Sequence, residues 1–270
     1  MPPEPAELLS AAMTAAQIGG EVLRRYFREL GPSQVAEKDR NDWVSEADRA
    51  SEQAIVGFLA LEAPDVGVLA EEAGASGSAG TRWLIDPLDG TLNFVRGFPH
   101  FAVSIGLVAE GRLEVGVVYD PMRDELFAAR RGCGATRNGE AIRVTGRPGL
   151  QGAFVTTGFP YRVHRYLGTF LAVFRDVFME AGALRRPGAA ALDLAHTAAG
   201  IFDGFFEFCL SPWDIAAGTL LVREAGGLVT DLDGGTDVLA HGNVVAASPD
   251  VHRDLLAVIR RHASERTIVP

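Results

Sequence analysis

The sequence predicts an α/β protein, and three features of its 270 residues support this class. Apolar residues recur at helical spacing between positions 6 and 30. Short apolar runs separated by turn residues, typical of neighbouring strands, fill positions 82–130. After about position 150, strand-like and helix-like segments alternate. We therefore expect sheets covered by helices, in one unit that spans residues 1–270.

The predicted helices are bounded by residues that start or stop helical structure. In the first, apolar positions run from Leu8 to Phe27, and Gly31 with its following proline ends the run. A second helix is predicted from Ser45, whose side chain can cap it, to the residues before Pro64. Later helices are predicted at 166–180, 190–199, 213–225 and from Pro249 onward.

The predicted strands are short apolar runs that end at turn residues. Residues 66–70 predict a strand that delivers Glu71 and Glu72 at its end. The Gly- and Ser-rich stretch 74–80 follows, and it predicts a mobile surface loop. Further strands are predicted at 83–85, 101–108, 113–119, 125–129, 153–156, 184–185, 204–208 and 243–247.

Composition and charge limit the classes of function. A hydrophobic content of 47% allows a large core. The formal net charge of −10 argues against nucleic acid as the main substrate, because phosphate neutralisation needs clustered Lys and Arg. The same charge permits a phosphate monoester, since metal ions can bridge carboxylates and an anionic ligand.

Targeting signals and cysteine usage favour a cytoplasmic protein. The first residues lack the basic and apolar regions of a secretory signal, and no run of about 18 apolar residues occurs. Cys133 and Cys209 have neither CxxC spacing nor the density of a secreted scaffold. We expect reduced thiols and no contact with a membrane.

The segment WLIDPLDGTLNF, residues 83–94, concentrates residues that can carry chemistry. We expect an apolar strand to end on Asp86, with Asp89 after a proline-fixed turn, so that both carboxylates can bind a cation. Gly90 and Thr91 can then open a helix or turn whose first N–H groups bind phosphate. Taken alone, these residues also suit an ordinary turn.

Two more acids stand where strands or helices begin and end. Glu71 follows the predicted strand 66–70, and Asp214 stands at the start of a helix of small and apolar residues. Taken alone, Asp214 would be interpreted as a helix N-cap. These further acids shift the balance away from the interpretation of Asp86 and Asp89 as an ordinary turn.

These residues resemble the motifs of the inositol monophosphatase family of lithium-sensitive, magnesium-dependent phosphatases. The family's first motif is similar to residues 83–94, and its second is similar to WDIAAGTLLVREAGG at 213–227. The segments at 97–101, 116–121 and 185–194 also look like the bacterial members. The resemblance covers essentially the whole chain. It implies a layered αβαβα sandwich, like that of fructose-bisphosphatase-like phosphatases, and a homodimer.

The resemblance also implies a cofactor and its ligands. The cofactor is Mg²⁺, with one ion bound by Glu71, Asp86 and the backbone carbonyl of Leu88, and a second bound by Asp86, Asp89 and Asp214. The approximate half 1–150 would then bind metal and phosphate as an α+β unit, and the half 151–270 would be α/β.

Substrate-binding and catalytic residues follow from the same resemblance. It implies that the substrate is bound by Asp89, Gly90, Thr91, Gly188, Ala189, Ala190, Glu207 and Asp214. In this set the N–H groups of Gly90 and Thr91 hold phosphate, and Glu207 accepts hydrogen bonds from substrate hydroxyls. The implied catalytic residues are Glu71, which assists the attacking water, and the pair of Thr91 with Asp48, which orients it.

The sequence leaves the substrate open. Hydrolysis of myo-inositol monophosphate is the first hypothesis, and fructose 1,6-bisphosphatase or histidinol-phosphatase activity is the alternative, because metal and phosphate motifs read only the shared group. A 3′-phosphoadenosine 5′-phosphate substrate is less favoured. A hypothesis of another class is a binding role, since some bacterial members of the family associate with the transcription machinery.

Overall fold

The computed structural model describes residues 4–39, 42–159 and 164–268. The helices are α1 (Pro5–Tyr26), α2 (Glu46–Glu62), α3 (Thr91–Val95), α4 (Leu167–Glu180), α5 (Ala190–Ala198), α6 (Pro212–Glu224), α7 (Val238–His241) and α8 (Pro249–Ile259). The strands are β1 (Val35–Asp39), β2 (Asp42–Ser45), β3 (Gly67–Ala70), β4 (Gly74–Ser76), β5 (Thr81–Asp89), β6 (Ala102–Ala109), β7 (Arg112–Asp120), β8 (Glu125–Arg130), β9 (Ala135–Arg137), β10 (Glu140–Ile142), β11 (Phe154–Thr157), β12 (Ala183–Arg185), β13 (Gly204–Glu207), β14 (Leu228–Thr230) and β15 (Val244–Ala247).

The strands form three sheets. β1 and β2 make a two-stranded hairpin, and a larger sheet of eight strands has the order β10-β9-β8-β7-β6-β5-β3-β4. Within it β3 and β5 run parallel, whereas the other neighbours run antiparallel. A third sheet of five strands has the order β12-β11-β13-β15-β14, and β11 runs parallel to both of its neighbours.

Helices cover and separate the two large sheets. α1 and α2 pack on one face of the eight-stranded sheet, against side chains such as Trp83 and Ile105. α5 and α6 lie between the sheets, where they contact Leu84 on one side and Phe205 on the other. α4 and α8 pack on the outer face of the five-stranded sheet. The order of layers is αβαβα, which confirms the predicted fold class.

Most predicted elements are present, with ends that shift by a few residues. Two expectations are wrong. The strand with the first motif continues as β5 to Asp89, with a register shift between Asp86 and Asp89, and does not end on Asp86. The stretch 74–80 is not simply a loop, because β4 pairs with β3. The elements that were not predicted are β1, β2, β9, β10, β14 and α7. The division into halves near residue 150 stays a prediction.

α6 approaches the eight-stranded sheet closely because both sides present small residues. A Cβ atom added to Gly106 of β6 would lie 2.7 Å from the Cβ of Ala216. The hydroxyl of Ser104 donates to the carbonyl of Trp213 at 3.0 Å, which fixes the first turn of α6 on the sheet. This contact brings the start of α6 to the strand that neighbours β5.

Two further features concern membranes and thiols. Among the helices of the described ranges, none has the length and apolar character required to cross a membrane. Cys133 is exposed and Cys209 is partly buried, and both are free cysteines.

Candidate active site

Adjacent parallel strands place the first two acids. Ala70 at the end of β3 is paired with Ile85 of β5, so Glu71 and Asp86 follow at the same edge. The N–H of Glu71 donates to the carbonyl of Ile85 at 3.1 Å, which extends the pairing by one residue. Side chains that leave equivalent ends of two parallel neighbours point into a common space. The structure thus brings Glu71 and Asp86 together, as the sequence predicts.

The irregular end of β5 shapes the next part of the site. Asp86 is buried, and its Oδ1 accepts a hydrogen bond from the N–H of Leu88 at 2.9 Å. The register with β6 shifts between Asp86 and Asp89, and a shift of this kind redirects side chains along a strand. Both carboxylates and the Leu88 backbone therefore lie at one bend of the chain.

Asp214 is not the N-cap residue that its place in the sequence, taken alone, would suggest. The N-cap of α6 is Ser211, and Asp214 is the third helical residue. Oδ2 of Asp214 accepts from the N–H of Ser211 at 2.9 Å, the reciprocal half of a capping box. This bond holds the carboxylate at the start of α6, next to the bend of β5.

The four acids Glu71, Asp86, Asp89 and Asp214, here called the carboxylate centre, are coupled electrostatically. Burial raises the pKa of Asp86 well above its ordinary value, and the negative charges of Glu71, Asp89 and Asp214 raise it further. Burial and the charge of Asp214 raise the pKa of Asp89 to about 7. Like charges that oppose ionisation in this way are relieved by a cation.

The donor set of the carboxylate centre fits a hard divalent cation. Carboxylate and carbonyl oxygens are the ligands that Mg²⁺ and Ca²⁺ prefer. Over residues 4–39, 42–159 and 164–268, no three or more His, Cys, Asp or Glu side chains are arranged so that they could hold a metal ion. The chemical fit therefore rests on the type of ligand and on the mutual repulsion of the acids.

Asp89 also connects the eight-stranded sheet to α5. Its Oδ2 accepts a hydrogen bond from the N–H of Ala191 at 2.7 Å, and bonds from the N–H groups of Ala190 and Leu192 lower its pKa. These donors belong to the first turn of α5, where the N-cap residue, Ala189, provides no side-chain acceptor. The carboxylate of Asp89 thus caps a helix that is distant in sequence.

Gly90 and Thr91 lie directly beside the carboxylate centre. Gly90 is the N-cap of α3 and has φ 94°, a conformation that favours glycine. A Cβ there would lie 3.3 Å from the Cβ of Ala189 and 3.3 Å from the carbonyl oxygen of Gly188. The first N–H groups of a helix have no acceptor within the helix, so they can receive an anion. The structure therefore joins the expected phosphate loop to residues 188–189.

The predicted pair of Thr91 and Asp48 is present. The hydroxyl of Thr91 lies 3.1 Å from Oδ1 of Asp48 and 3.1 Å from the carbonyl oxygen of Leu88. Oδ2 of Asp48 accepts from the N–H and the hydroxyl of Ser45 at 2.8 and 2.6 Å. Burial is the main cause that raises the pKa of Asp48 to about 6. The pair thus places a polarised hydroxyl beside the carboxylate centre.

A second wall faces Gly90 and is formed by Gly188, Ala189, Ala190, Asp193 and Glu207; we call it the α5–β13 wall. Glu207 ends β13 and is buried. Asp193 of α5 is also buried, and its Oδ1 has no partner among the residues that the structure describes. Burial raises the pKa of Asp193, and the charges of Glu207 and Asp89 raise it further. Electrostatic coupling thus extends from the carboxylate centre to Glu207.

Sequence reasoning missed two residues that hold this arrangement together. The side-chain amide of Asn93 donates to the carbonyls of His100 at 2.8 Å and Pro187 at 3.0 Å, and its 3.3 Å bond to the carbonyl of Gly188 ties α3 to the α5–β13 wall. Asp193 is the other missed residue. Both lie inside the segments 83–94 and 185–194, where a polar residue among apolar ones was the available signal.

His100 agrees with its predicted role in packing. Its ring is buried and lies 6.3 Å, centroid to centroid, from that of His196. Burial, followed by the charge of Arg123, lowers the pKa of His100 to about 4. A neutral, buried imidazole of this kind is part of the core near the site rather than a nucleophile.

Comparison with known proteins identifies the family. Residues 4–265 match the sequence profile of the inositol monophosphatase family. The chain belongs to the inositol monophosphatase family. The protein called Nus factor SuhB from Pseudomonas aeruginosa is 47% identical over 261 residues, which cover 94% of this chain and 96% of that protein. The Inositol-1-monophosphatase of Mesorhizobium japonicum is 46% identical and covers 96% of this chain and 98% of its own length.

Solved structures give the same family and fold. The crystal structure of extragenic suppressor protein suhB from Bartonella henselae superposes with a TM-score of 0.91 at 41% identity, and the match covers 95% of this chain and 99% of that one. The inositol monophosphatase family consists of phosphatases that generally depend on a metal ion. The carboxylate centre of this chain, with its oxygen ligands, agrees with that dependence on a metal ion.

Proposed function

We propose that the protein is a Mg²⁺-dependent phosphatase that hydrolyses myo-inositol monophosphate to inositol and phosphate. The observation that carries the proposal is the mutual coupling of Glu71, Asp86, Asp89 and Asp214 beside the start of α3. The coupled acids suit a divalent cation, and the first N–H groups of α3 suit the phosphate.

The metal ligands in this proposal are residues of the carboxylate centre. Glu71, Asp86 and the carbonyl of Leu88 would hold one Mg²⁺, and Asp86, Asp89 and Asp214 would hold a second. Bound Mg²⁺ supplies a lowered pKa for water and neutralises charge on phosphate oxygens. Family membership and the oxygen-only donor set support this assignment.

The residues of the chain would then carry out the remaining steps. The Glu71 carboxylate accepts or orients a proton of the attacking water. The hydroxyl of Thr91 donates to Asp48 and keeps its own lone pair directed at that water. The N–H groups of Gly90 and Thr91 hold the phosphate while its bond to the alcohol breaks.

Recognition of the alcohol is proposed for the α5–β13 wall. Glu207 is an acceptor for ring hydroxyls, and Gly188, Ala189 and Ala190 leave room for the polyol because their side chains are small or absent. Asp89 and Asp214 reach the substrate from the carboxylate centre. The name of the Mesorhizobium relative, Inositol-1-monophosphatase, supports this substrate over fructose 1,6-bisphosphate or histidinol phosphate.

The test is phosphate release by the purified protein with Mg²⁺ on four esters in parallel. These are myo-inositol 1-phosphate, fructose 1,6-bisphosphate, histidinol phosphate and 3′-phosphoadenosine 5′-phosphate, with a chelator control. We expect the highest kcat/KM for the inositol ester and inhibition by lithium. Preference for another ester would keep the metal site and reject the substrate, whereas no release from any ester would reject the proposed reaction.

We also propose that the protein is cytoplasmic. A second candidate function is contact with the transcription machinery. The observation that favours it is the 47% identity to a protein named Nus factor SuhB. Affinity capture of RNA polymerase subunits by the wild type and by Asp89→Asn separates the two roles. Equal capture by both proteins would support a contact independent of catalysis, and no capture by either would reject it.

A homodimer is part of the proposal and follows from the family resemblance. Sedimentation velocity of the purified protein measures it directly. A single species of twice the mass of the 28.8 kDa chain is expected, and a monomer at micromolar concentration would contradict it.

A further inference from the structure

The buried carboxylate of Glu52 clamps the backbone that follows Glu71. Glu52 lies on α2 and is only 4% exposed. Its Oε2 accepts from the N–H of Glu72 at 2.9 Å, and its Oε1 accepts from the N–H of Ala73 at 2.8 Å. Hydrogen bonds to a charged acceptor are stronger and more directional than neutral ones. A single side chain of α2 therefore fixes the turn that follows β3.

Glu71 stands between this clamp and a second backbone anchor. Its own N–H donates to the carbonyl of Ile85 on β5, while the next two N–H groups are held by Glu52. The Cα of Glu71 thus has bonded neighbours on both sides. Only side-chain torsions remain to set the direction of its carboxylate towards Asp86.

A role in folding alone gives a poor account of Glu52. A buried carboxylate loses hydration, and that loss destabilises the fold unless strong hydrogen bonds replace it. Ala73 is exposed, so without Glu52 its N–H could donate to water instead. The benefit specific to Glu52 is a fixed position for the turn that carries Glu71.

Two other residues on the same face of α2 hold the other parts of the site. Asp48, Ser51 and Glu52 are three and four residues apart, a spacing that aligns side chains on one helix face. Asp48 binds the hydroxyl of Thr91, and the hydroxyl of Ser51 donates to the carbonyl of Pro87 at 3.0 Å. One helix face therefore contacts the segments of Glu71, Asp86–Asp89 and Thr91.

We propose that Glu52 is a positioning residue that sets the Glu71 carboxylate for the divalent cation of the carboxylate centre, with α2 as the common template. The inference rests on the proposed function for its effect on turnover. Its effect on metal binding is independent of which ester is hydrolysed.

The test compares Glu52→Gln with Glu62→Gln, an exposed residue of the same helix that undergoes the same change of charge. A glutamine presents one oxygen and one NH₂, so one of the two clamped N–H groups would face a donor. Calorimetric titration with Mg²⁺ should show affinity weakened by about tenfold or more in Glu52→Gln and unchanged in Glu62→Gln.

Kinetics and hydrogen exchange separate positioning from stability. With the wild-type enzyme as reference, Glu52→Gln should lower kcat and leave KM unchanged, because the proposed phosphate and polyol contacts lie elsewhere. Amide exchange at residues 72 and 73 should become faster. Should Glu52→Gln not fold, Glu52→Asp retains two acceptors on a shorter side chain, and we expect the same changes at smaller size.

Two results would overturn the inference. One is wild-type Mg²⁺ affinity and kcat in a folded Glu52 variant, even with a lowered melting temperature. The other is the absence of Mg²⁺ binding by the wild type. Failure of the proposed function has a different signature, since a wild type that binds Mg²⁺ but hydrolyses no ester still allows the calorimetric comparison of the variants.

Discussion

The carboxylate centre and the α5–β13 wall face each other but are built differently. Two acids of the centre are held by neighbouring backbone: Asp86 by Leu88, and Asp214 by Ser211. The wall combines the start of α5 with the end of β13, segments separated in sequence and joined by the five-stranded sheet and its helices. The comparison teaches that bonds to nearby backbone orient individual acids of the centre, whereas long-range packing forms the surface proposed to choose the substrate.

Asp89 is the residue that belongs to both regions. Its charge is coupled to Asp86 and Asp214, and its Oδ2 caps α5 through Ala191. A change at Asp89 should therefore show whether the two regions operate together. The predictions below follow from this contrast and run from the largest expected effect to the smallest.

Asp89→Asn should lower kcat by about a hundredfold or more, because it removes charge where the proposed metal and phosphate meet. The same variant should melt a few degrees higher than the wild type at pH 8 without divalent ions. The reason is that the raised pKa of Asp89, about 7, means that its ionised form destabilises the fold above that pH. Asparagine still offers an oxygen to the N–H of Ala191.

Phosphate release and thermal unfolding with a chelator check this prediction, and Asp65→Asn serves as the exposed control. Unchanged turnover in Asp89→Asn would overturn the site assignment. A loss of activity accompanied by a lower melting temperature would point to damaged capping of α5 instead.

Gly90→Ala should destabilise the protein by about 1–3 kcal/mol, because it combines strain at positive φ with crowding against the α5–β13 wall. A Cβ at Gly90 would lie 3.3 Å from the Cβ of Ala189 in that wall and 3.1 Å from the carbonyl oxygen of His100. Gly74 also has positive φ, 77°, but nothing lies within 4 Å of its added Cβ.

Gly74→Ala is therefore the matched control for strain alone. Urea unfolding and kcat should both be more affected at Gly90, with activity loss exceeding the loss of folded protein. Equal effects of the two variants would show that contact between α3 and the wall is unimportant.

Glu207→Gln should raise KM for myo-inositol 1-phosphate by about tenfold and leave the Mg²⁺ requirement unchanged, because the proposed role of Glu207 is to bind substrate hydroxyls and not metal. Steady-state kinetics with para-nitrophenyl phosphate provide the comparison, since that alcohol has no ring hydroxyls to bind. A similar loss on both esters would assign Glu207 to the fold or to the metal site.

His196→Gln should reduce the loss of stability in acid, in the opposite sense to the carboxylates. Burial, followed by the charge of His100, lowers the pKa of His196 to about 4. Because the imidazole of His196 is neutral in the folded protein, its contribution to stability is fully present above 6.5, the pKa of histidine in the unfolded chain. That contribution is lost as the pH falls towards 4. Between pH 7.5 and 6 the free energy of unfolding should fall by about 1 kcal/mol less in the variant than in the wild type.

Denaturant unfolding at the two pH values measures this difference. The difference between the two proteins isolates His196, because the carboxylate centre, whose raised pKa values change stability with pH in the opposite direction, is the same in both. Identical pH dependence of the wild type and His196→Gln would contradict the assigned burial of a neutral imidazole.

Local sequence brings Asp86, Asp89 and Gly90 close together for a physical reason. An apolar strand ending in acids, a proline-fixed bend and a glycine are consequences of nearby residues, so Asp86, Asp89 and Gly90 could be predicted before any packing was known. The family resemblance added their expected roles. The confirmed αβαβα layers likewise follow from apolar periodicity together with that resemblance.

The parts that local sequence did not predict depend on distant contacts. The bond from Asn93 to Pro187 and the clamp of Glu52 on Glu72 join segments separated by 94 and 20 positions. Nothing near Glu52 in the sequence distinguishes it from a solvated helix residue. The continuation of β5 beyond Asp86 has the same origin, because pairing with β6 decides where that strand ends.

The most direct measurement of the central claim is Mg²⁺-dependent phosphate release from myo-inositol 1-phosphate by the wild type, Asp86→Asn and the exposed control Asp233→Asn. We predict release that requires Mg²⁺ in the wild type and in the control, and none above background in Asp86→Asn. Release that continues in excess chelator, or that survives in Asp86→Asn, would contradict a catalytic metal held by the carboxylate centre.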